Sequence, residues 1–236
     1  MPDQIQTKVN TALAEWEVWN GLGVANRNAI VLRWAEFVAT ESSLGVMAEK
    51  MIKFQSYNAL DLLKDELLPG PTGETNELYS SGRGMFVISA DKHAAIYAIV
   101  AQISAALLAG NCIFIVLEPK QAELTKVIIN TLLAAGVPGT VVQWSNYQSL
   151  ETVIKTNHIA GVAYVGNMPT TLVLNRQLAA RHGQLVQFIA ETDRDKLNTV
   201  TDSHYILRFI TQRTRTINIT AVGGNATLLE LGSGGH

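Results

Sequence analysis

Residues 85–117 read MFVISADKHAAIYAIVAQISAALLAGNCIFIVL. Two short apolar runs, MFVISA (85–90) and CIFIVL (112–117), bracket a helix-like stretch from His93 to Leu108 that Gly110 closes. Apolar runs without polar alternation suit strands covered on both faces, and a strand–helix–strand unit of this length joins parallel neighbours. The pattern continues downstream. Pro119 opens a helix that ends at Gly136, and TVVQW (140–144), IAGVAYV (159–165) and QLVQFIA (184–190) supply three more strands. LETVIKT and the segment from Pro169 to His182 supply the helices between them. The expectation is a doubly wound α/β domain with a parallel sheet of about five strands.

Upstream, residues 3–68 carry helical periodicity: Ile5, Val9, Leu13 and Trp16, then Ile30, Trp34 and Val38, then Leu44, Met47, Ala48 and Met51. Ser42 and Ser43 are candidate N-caps between the second and third segments. LLPGPTGETN (67–76) holds two prolines and two glycines and reads as a loop and an internal boundary. Downstream, HYILRFITQRTRTINITAV (204–222) sets Ile217, Ile219 and Ala221 against Thr216, Asn218 and Thr220. That period of two predicts one long strand or an antiparallel hairpin, apolar on one face. The divisions expected are a helical segment 1–70, a sheet domain 71–203, a flap and tail 204–232, and a purification-tag remnant 233–236.

The chain of 236 residues is 47% hydrophobic and 16% charged, enough to bury a large core and unlike a disordered segment. Its formal net charge of −2 gives no reason to expect a nucleic-acid or anionic-membrane partner. No apolar run has the length of a membrane span, and the start MPDQIQTKVN lacks the basic-then-apolar pattern of a secretion signal. Cys112 is the single cysteine, which excludes an intrachain disulfide and makes a reducing cytoplasm the expected compartment.

Candidate sites are few. Gly82-Arg83-Gly84 precedes a strand, whereas a dinucleotide loop must follow one and open a helix, so it reads as a turn. The histidines, His93, His158, His182, His204 and His236, lack ligands at zinc-site spacing, so no metal is expected. Cys112 begins an apolar strand and reads as a buried, inert thiol. Asp91, Lys92 and His93 fall at the C-terminal end of the first parallel strand, where ligands of such sheets bind. They read either as a polar site or as a charged helix start.

Three stretches carry a resemblance. PGPTGETNEL (69–78) with GRGMFVISADKHAAIYAIVAQISAALLAGN (82–111) resembles the start of the cofactor domain of the aldehyde dehydrogenase superfamily. IAGVAYVGNMPTTLVLNRQLAARHGQLVQFIAETD (159–193) resembles the same module around its FTGS turn and catalytic-glutamate strand. It is most similar to the pyrroline-5-carboxylate dehydrogenase part of proline-utilisation A (PutA) proteins, with their INRxLAARxGxxVPxIAETGG pattern. RTRTINITAVGGNATLLELG (213–232) resembles the C-terminus of long PutA proteins. The resemblance implies a Rossmann-like domain of the aldehyde dehydrogenase cofactor type with a β-flap hairpin.

Departures from the family pattern imply that chemistry is absent. The family's cysteine nucleophile lies in a further domain for which this chain has no room. Lys92 stands at or near the position of the family's oxyanion asparagine, and a lysine is not a fixed neutral donor. Glu118 replaces the ribose-binding lysine before Pro119, and Asn167, after Gly166, replaces the FTGS serine. Glu118, Gly166 and Asn167 are therefore weak cofactor-binding candidates. Glu191 is retained as a vestige, but Asp193 and Arg194 replace the glycines that follow it. By resemblance, the chain is the non-catalytic C-terminal domain of a longer bifunctional or trifunctional protein that oxidises proline to glutamate. The parent uses FAD and NAD, is cytoplasmic, and can be peripheral at the inner membrane; this chain itself is expected to hold no cofactor. Its partners would be the catalytic domains of the same polypeptide, with a homodimer through the flap as a further option. Thr216, Ile217, Asn218, Ile219, Thr220, Ala221, Gly223, Gly224 and Asn225 would form the lid of a substrate-channelling cavity, with Tyr205–Thr211 completing the flap. The alternatives are an NAD-binding regulatory domain and a truncated NAD-dependent pyrroline-5-carboxylate dehydrogenase.

Overall fold

The computed structural model describes residues 2–71 and 73–218. Three helices lead: α1 (Pro2–Gly21), α2 (Gly23–Thr40) and α3 (Val46–Leu62). The cap of α3 is Gly45 and not Ser42 or Ser43. Leu44 is buried against the core, so the chain must turn just after it, and Gly45 supplies a φ of 79°. The segment read as loop is partly strand. β1 (Glu66–Leu68) and β2 (Glu74–Gly82) pair antiparallel with Leu68 opposite Asn76.

Five strands form the parallel sheet: β3 (Met85–Ala90), β4 (Cys112–Leu117), β5 (Val142–Trp144), β6 (Ile159–Val165) and β7 (Gln187–Glu191). Their order is β5-β4-β3-β6-β7, so the winding reverses between β3 and β6. Every residue of β3, β4 and β6 is buried, as their unbroken apolar runs require. The crossovers are α4 (Ile96–Leu108), α5 (Ala122–Ala135), α6 (Leu150–Lys155) and α7 (Met168–Ala179). A short 3-10 turn at Pro119–Gln121 precedes α5, and Gly136 closes it in the left-handed conformation at φ 97°.

α4 lies on β3, β4 and β6 and is itself covered by α2 and α3, while α1 packs on β3, β4 and β5. The buried apolar residues form one cluster from Ile5 to Ile210, so the leading helices share the core of the sheet. They also satisfy the carbonyls that the end of α4 leaves without helical donors. Trp19 Nε1 donates to Leu107 O at 3.1 Å, Arg27 Nε to Leu108 O at 3.0 Å, and Trp16 Nε1 to Gly110 O at 3.0 Å. Gly82 packs here too. A Cβ on it would come within 2.3 Å of Gly110 O, so Gly82-Arg83-Gly84 is a turn set by close backbone approach.

Within the described residues the tail ends in one long strand, one of the two forms expected. Tyr205–Phe209 is a 3-10 helix whose Tyr205, Ile206 and Phe209 are fully buried, with the Phe209 ring 4.9 Å from that of Phe86. Those apolar residues belong to the core, so of Tyr205–Thr211 only Ile210 and Thr211 join the flap. β8 (Ile210–Asn218) instead pairs antiparallel with β2 along its whole length, from Gly82↔Ile210 to Glu74↔Asn218. The flap is the three-stranded sheet β1-β2-β8. Residues 211–218 are exposed on both faces, Ile217 by 42%, while Ile219 and Ala221 of the expected apolar face lie outside the described residues.

Candidate functional site

Parallel register sets the site. Ala90 pairs with both Leu117 and Val165, and Val165 pairs with Glu191. The strand ends therefore bring Asp91, Glu118, Gly166, Asn167 and Glu191 to one edge, beside the reversal of winding. In sheets of this kind that crevice takes the ligand.

Asp91 is the hub of this edge. It is 4% exposed, and its Oδ1 accepts from His93 N at 2.8 Å. Its Oδ2 accepts from Asn167 N at 3.1 Å and Asn167 Nδ2 at 3.4 Å, and lies 3.5 Å from Arg194 Nη1. Its carbonyl accepts from Gln121 Nε2 at 3.1 Å and Ala94 N at 3.1 Å. Of the trio read from sequence, Asp91 is thus buried and bonded, while Lys92 and His93 are exposed. Asn167 caps α7, its Oδ1 accepting from Thr170 N at 2.9 Å. A helix N-terminus at a reversal point attracts anions. Here the anion against it is the protein's own Asp91 carboxylate.

Gly166 has a packing reason. A Cβ there would lie 2.3 Å from Tyr164 Oη, so the glycine makes room for the buried tyrosine. Burial, with Asp91, Tyr147 and Glu118 adding to it, pushes the Tyr164 phenol up to about 12. Burial, then Glu118 and Asp91, raises Tyr147 as well. Two carboxylates therefore set a negative field along this edge.

Glu191 is 3% exposed and is spent on the loop that follows it. Its Oε1 accepts from Asp193 N at 2.9 Å, and its Oε2 from Thr199 N at 2.6 Å and Val200 N at 3.4 Å. Cys112 lies at the other edge, at the start of β4. It is fully buried, its Sγ donates to Ala12 O at 3.1 Å, and burial, then Glu15, pushes its thiol up to about 12. A thiol held protonated at the wrong end of the sheet is not a nucleophile for this edge.

Two recesses flank Asp91. An open cleft of about 750 Å³ is lined by His93 and by Thr192, Asp193, Arg194 and Asp195. A smaller one of about 220 Å³ lies between Pro119, Ala122, Trp144 and Tyr147. No group of three or more histidine, cysteine or acidic residues placed to hold a metal occurs among the described residues. No helix among them is long and apolar enough to cross a membrane. Of the expected lid, Thr216, Ile217 and Asn218 lie in β8, with Thr216 Oγ1 donating to Asn76 Oδ1 at 2.6 Å. Ile219, Thr220, Ala221, Gly223, Gly224 and Asn225 lie outside the described residues. The Asp91–Arg194 pair was not read from the sequence. Its signal was there, in an arginine standing where the resembling pattern has glycine.

Solved structures share this fold. A variant of PutA from Bradyrhizobium japonicum matches 81% of this chain at 25% identity with a TM-score of 0.75, over 22% of its own chain. PutA from Bdellovibrio bacteriovorus, inactivated by N-propargylglycine, matches 81% at 15% identity and TM-score 0.74, over 23% of its chain. PnpE in complex with nicotinamide adenine dinucleotide matches 79% at 16% identity and TM-score 0.69, over 43% of its chain. This chain thus spans less than a quarter of the length of the PutA structures it matches. No protein-family model and no curated relative matches it.

Proposed function

We propose that this chain, an aldehyde dehydrogenase-superfamily domain of the kind found in PutA, is a non-catalytic unit of a longer proline-oxidising protein, where it supports assembly and seals a substrate-channelling cavity. One observation carries the reading: the two buried carboxylates of the strand-end crevice, Asp91 and Glu191, are bonded within the protein. Asp91 accepts from the amide of Asn167, the N-cap of α7, so a dinucleotide phosphate at that helix start would meet a buried carboxylate. Glu191 holds the 193–200 loop through three backbone amides and so is not free to act as a base. Cys112 is buried at the opposite edge. The exposed flap suits an assembly role, because a strand with an open edge invites pairing with another chain. The parent's FAD and NAD would then be held by its other domains, and the cytoplasm remains the proposed compartment.

A second reading has one observation in its favour. The recess between Pro119, Trp144 and Tyr147 is apolar-walled and about the size of a purine, so residual NAD binding through the adenine is the alternative role.

Deleting residues 216–232 from the longer parent tests the lid. Each separate activity should survive, while coupled turnover from proline to NADH acquires a lag as intermediate escapes. An unchanged coupled time course contradicts the channel-sealing role.

A further inference from the structure

The run NGLGVANR (20–27) ends α1 and starts α2. A cavity of about 640 Å³ opens at this corner, between the start of α2, the chain at Leu63–Asp65 and the flap. That is within the range of small-molecule sites. Register fixes which flap face closes it. Glu77, Tyr79 and Ser81 of β2 stand opposite Arg215, Arg213 and Thr211 of β8, and Ser81 Oγ accepts from Asn20 Nδ2 at 3.1 Å. That face therefore turns toward the corner, and Tyr79, Arg213 and Arg215 line the cavity.

Arg27 lines it from the core side and is 4% exposed. Its Nε donates to Leu108 O at 3.0 Å and its Nη1 to Asn20 O, both neutral acceptors. Nη2 has no acceptor among the described residues and is not sealed from solvent. Burial pulls the guanidinium down to about 10, with no carboxylate close enough to offset it. The charges of the lining are Arg27, Lys64, Arg213 and Arg215 against Asp65. From just outside it, Glu77 pairs with Arg215 at 2.9 Å and Asp61 with Lys64 at 3.4 Å. One positive charge remains after both are counted, and the Lys64 pair is exposed and weak. No side chain caps α2, so the amides of its first turn add donors at Gly23–Ala25. Donors from helix, core and strand suit a tetrahedral oxyanion better than a planar one. The volume exceeds what a bare ion fills, and Val24 and Leu63 supply apolar wall. We propose that this cavity binds a small phosphate monoester, its phosphate between the start of α2, Arg27 and Arg213, and its organic part against Val24, Leu63 and the Tyr79 ring. The site is separate from the crevice at Asp91 and does not depend on the reading given for it.

Phenyl phosphate is a direct probe, with phenol as its uncharged match and inorganic phosphate as the bare anion. Titrated into the full chain and followed by amide chemical shifts, phenyl phosphate should give saturable shifts in 23–27, 63–65, 79–81 and 213–215. Phenol, without the charge-assisted hydrogen bonds, and inorganic phosphate, without the apolar contact, should each bind at least about tenfold more weakly. A25E sets a carboxylate in the first turn of α2 from an exposed position. It should abolish the shifts without lowering the unfolding midpoint, because an acid at a helix start favours the helix. R213Q, also at an exposed position, should weaken phenyl phosphate by about tenfold while leaving phenol unchanged. Absence of saturation by phenyl phosphate at millimolar concentration overturns the site. So does equal binding of phenol, or undiminished binding in A25E or R213Q. Equal binding of inorganic phosphate overturns the ester as its ligand.

Discussion

At the scale of single residues, the strand-end carboxylates are tied into the fold by backbone amides. Glu191 keeps its place at the end of β7, but its carboxylate accepts from the amides of Asp193, Thr199 and Val200. Asp193, which stands where the resembling pattern has glycine, binds the loop further, its Oδ1 accepting from Asp195 N at 3.2 Å and Lys196 N at 3.0 Å. Those two amides also hold the Asp193 carboxyl below its ordinary value, the Lys196 amide contributing most. Glu191→Gln turns one acceptor into a donor facing donors. It should cost roughly 2–3 kcal/mol, since hydrogen bonds to a charged group are worth about that and leave unpaired amides when broken. Urea unfolding measures the loss; a stability equal to the parent chain's would return Glu191 to the list of free carboxylates. Glu191 and Asn167 were legible in the sequence as positions. Their roles were not, because a strand-end acid looks the same whether it faces substrate or the amides of its own loop.

At the scale of elements, the apolar runs that specify β3, β4 and β6 were readable because a strand buried on both faces has no polar positions to confuse the pattern. The flap was not. Tyr205, Ile206 and Phe209 serve the core through a 3-10 turn, while β8 beyond them takes its pairing from β2, more than a hundred residues earlier in the chain. Nothing local announces that pairing. Side chains also cross the pairing, Thr216 to Asn76, and Arg215 to Glu77 with its guanidinium 5.7 Å from the Tyr79 ring centroid. Such exposed pairs each contribute under about 1 kcal/mol. Glu77→Lys would set a like charge against Arg215. It should speed amide exchange across 210–218 by about fivefold, the factor that about 1 kcal/mol commands. Amides of β3 should be unaffected. Equal acceleration in both would mean that flap and sheet open as one unit, against the division drawn here.

At the scale of the whole molecule, the leading helices, parallel sheet and 3-10 turn share one core, and the flap stands out from it with β8 exposed. At the strand-end crevice Asp91 accepts from Asn167 and lies 3.5 Å from Arg194, and only the fold shows that Asp91 and Arg194, far apart in sequence, meet. The most direct measurement is to incubate the full chain with NAD and the semialdehyde form of pyrroline-5-carboxylate, and to follow NADH absorbance together with the heat of NAD binding. The account predicts no NADH above the protein-free control and no saturable NAD heat. Saturable heat without turnover would favour the adenine-binding alternative. Turnover by this chain alone would contradict the non-catalytic assignment outright.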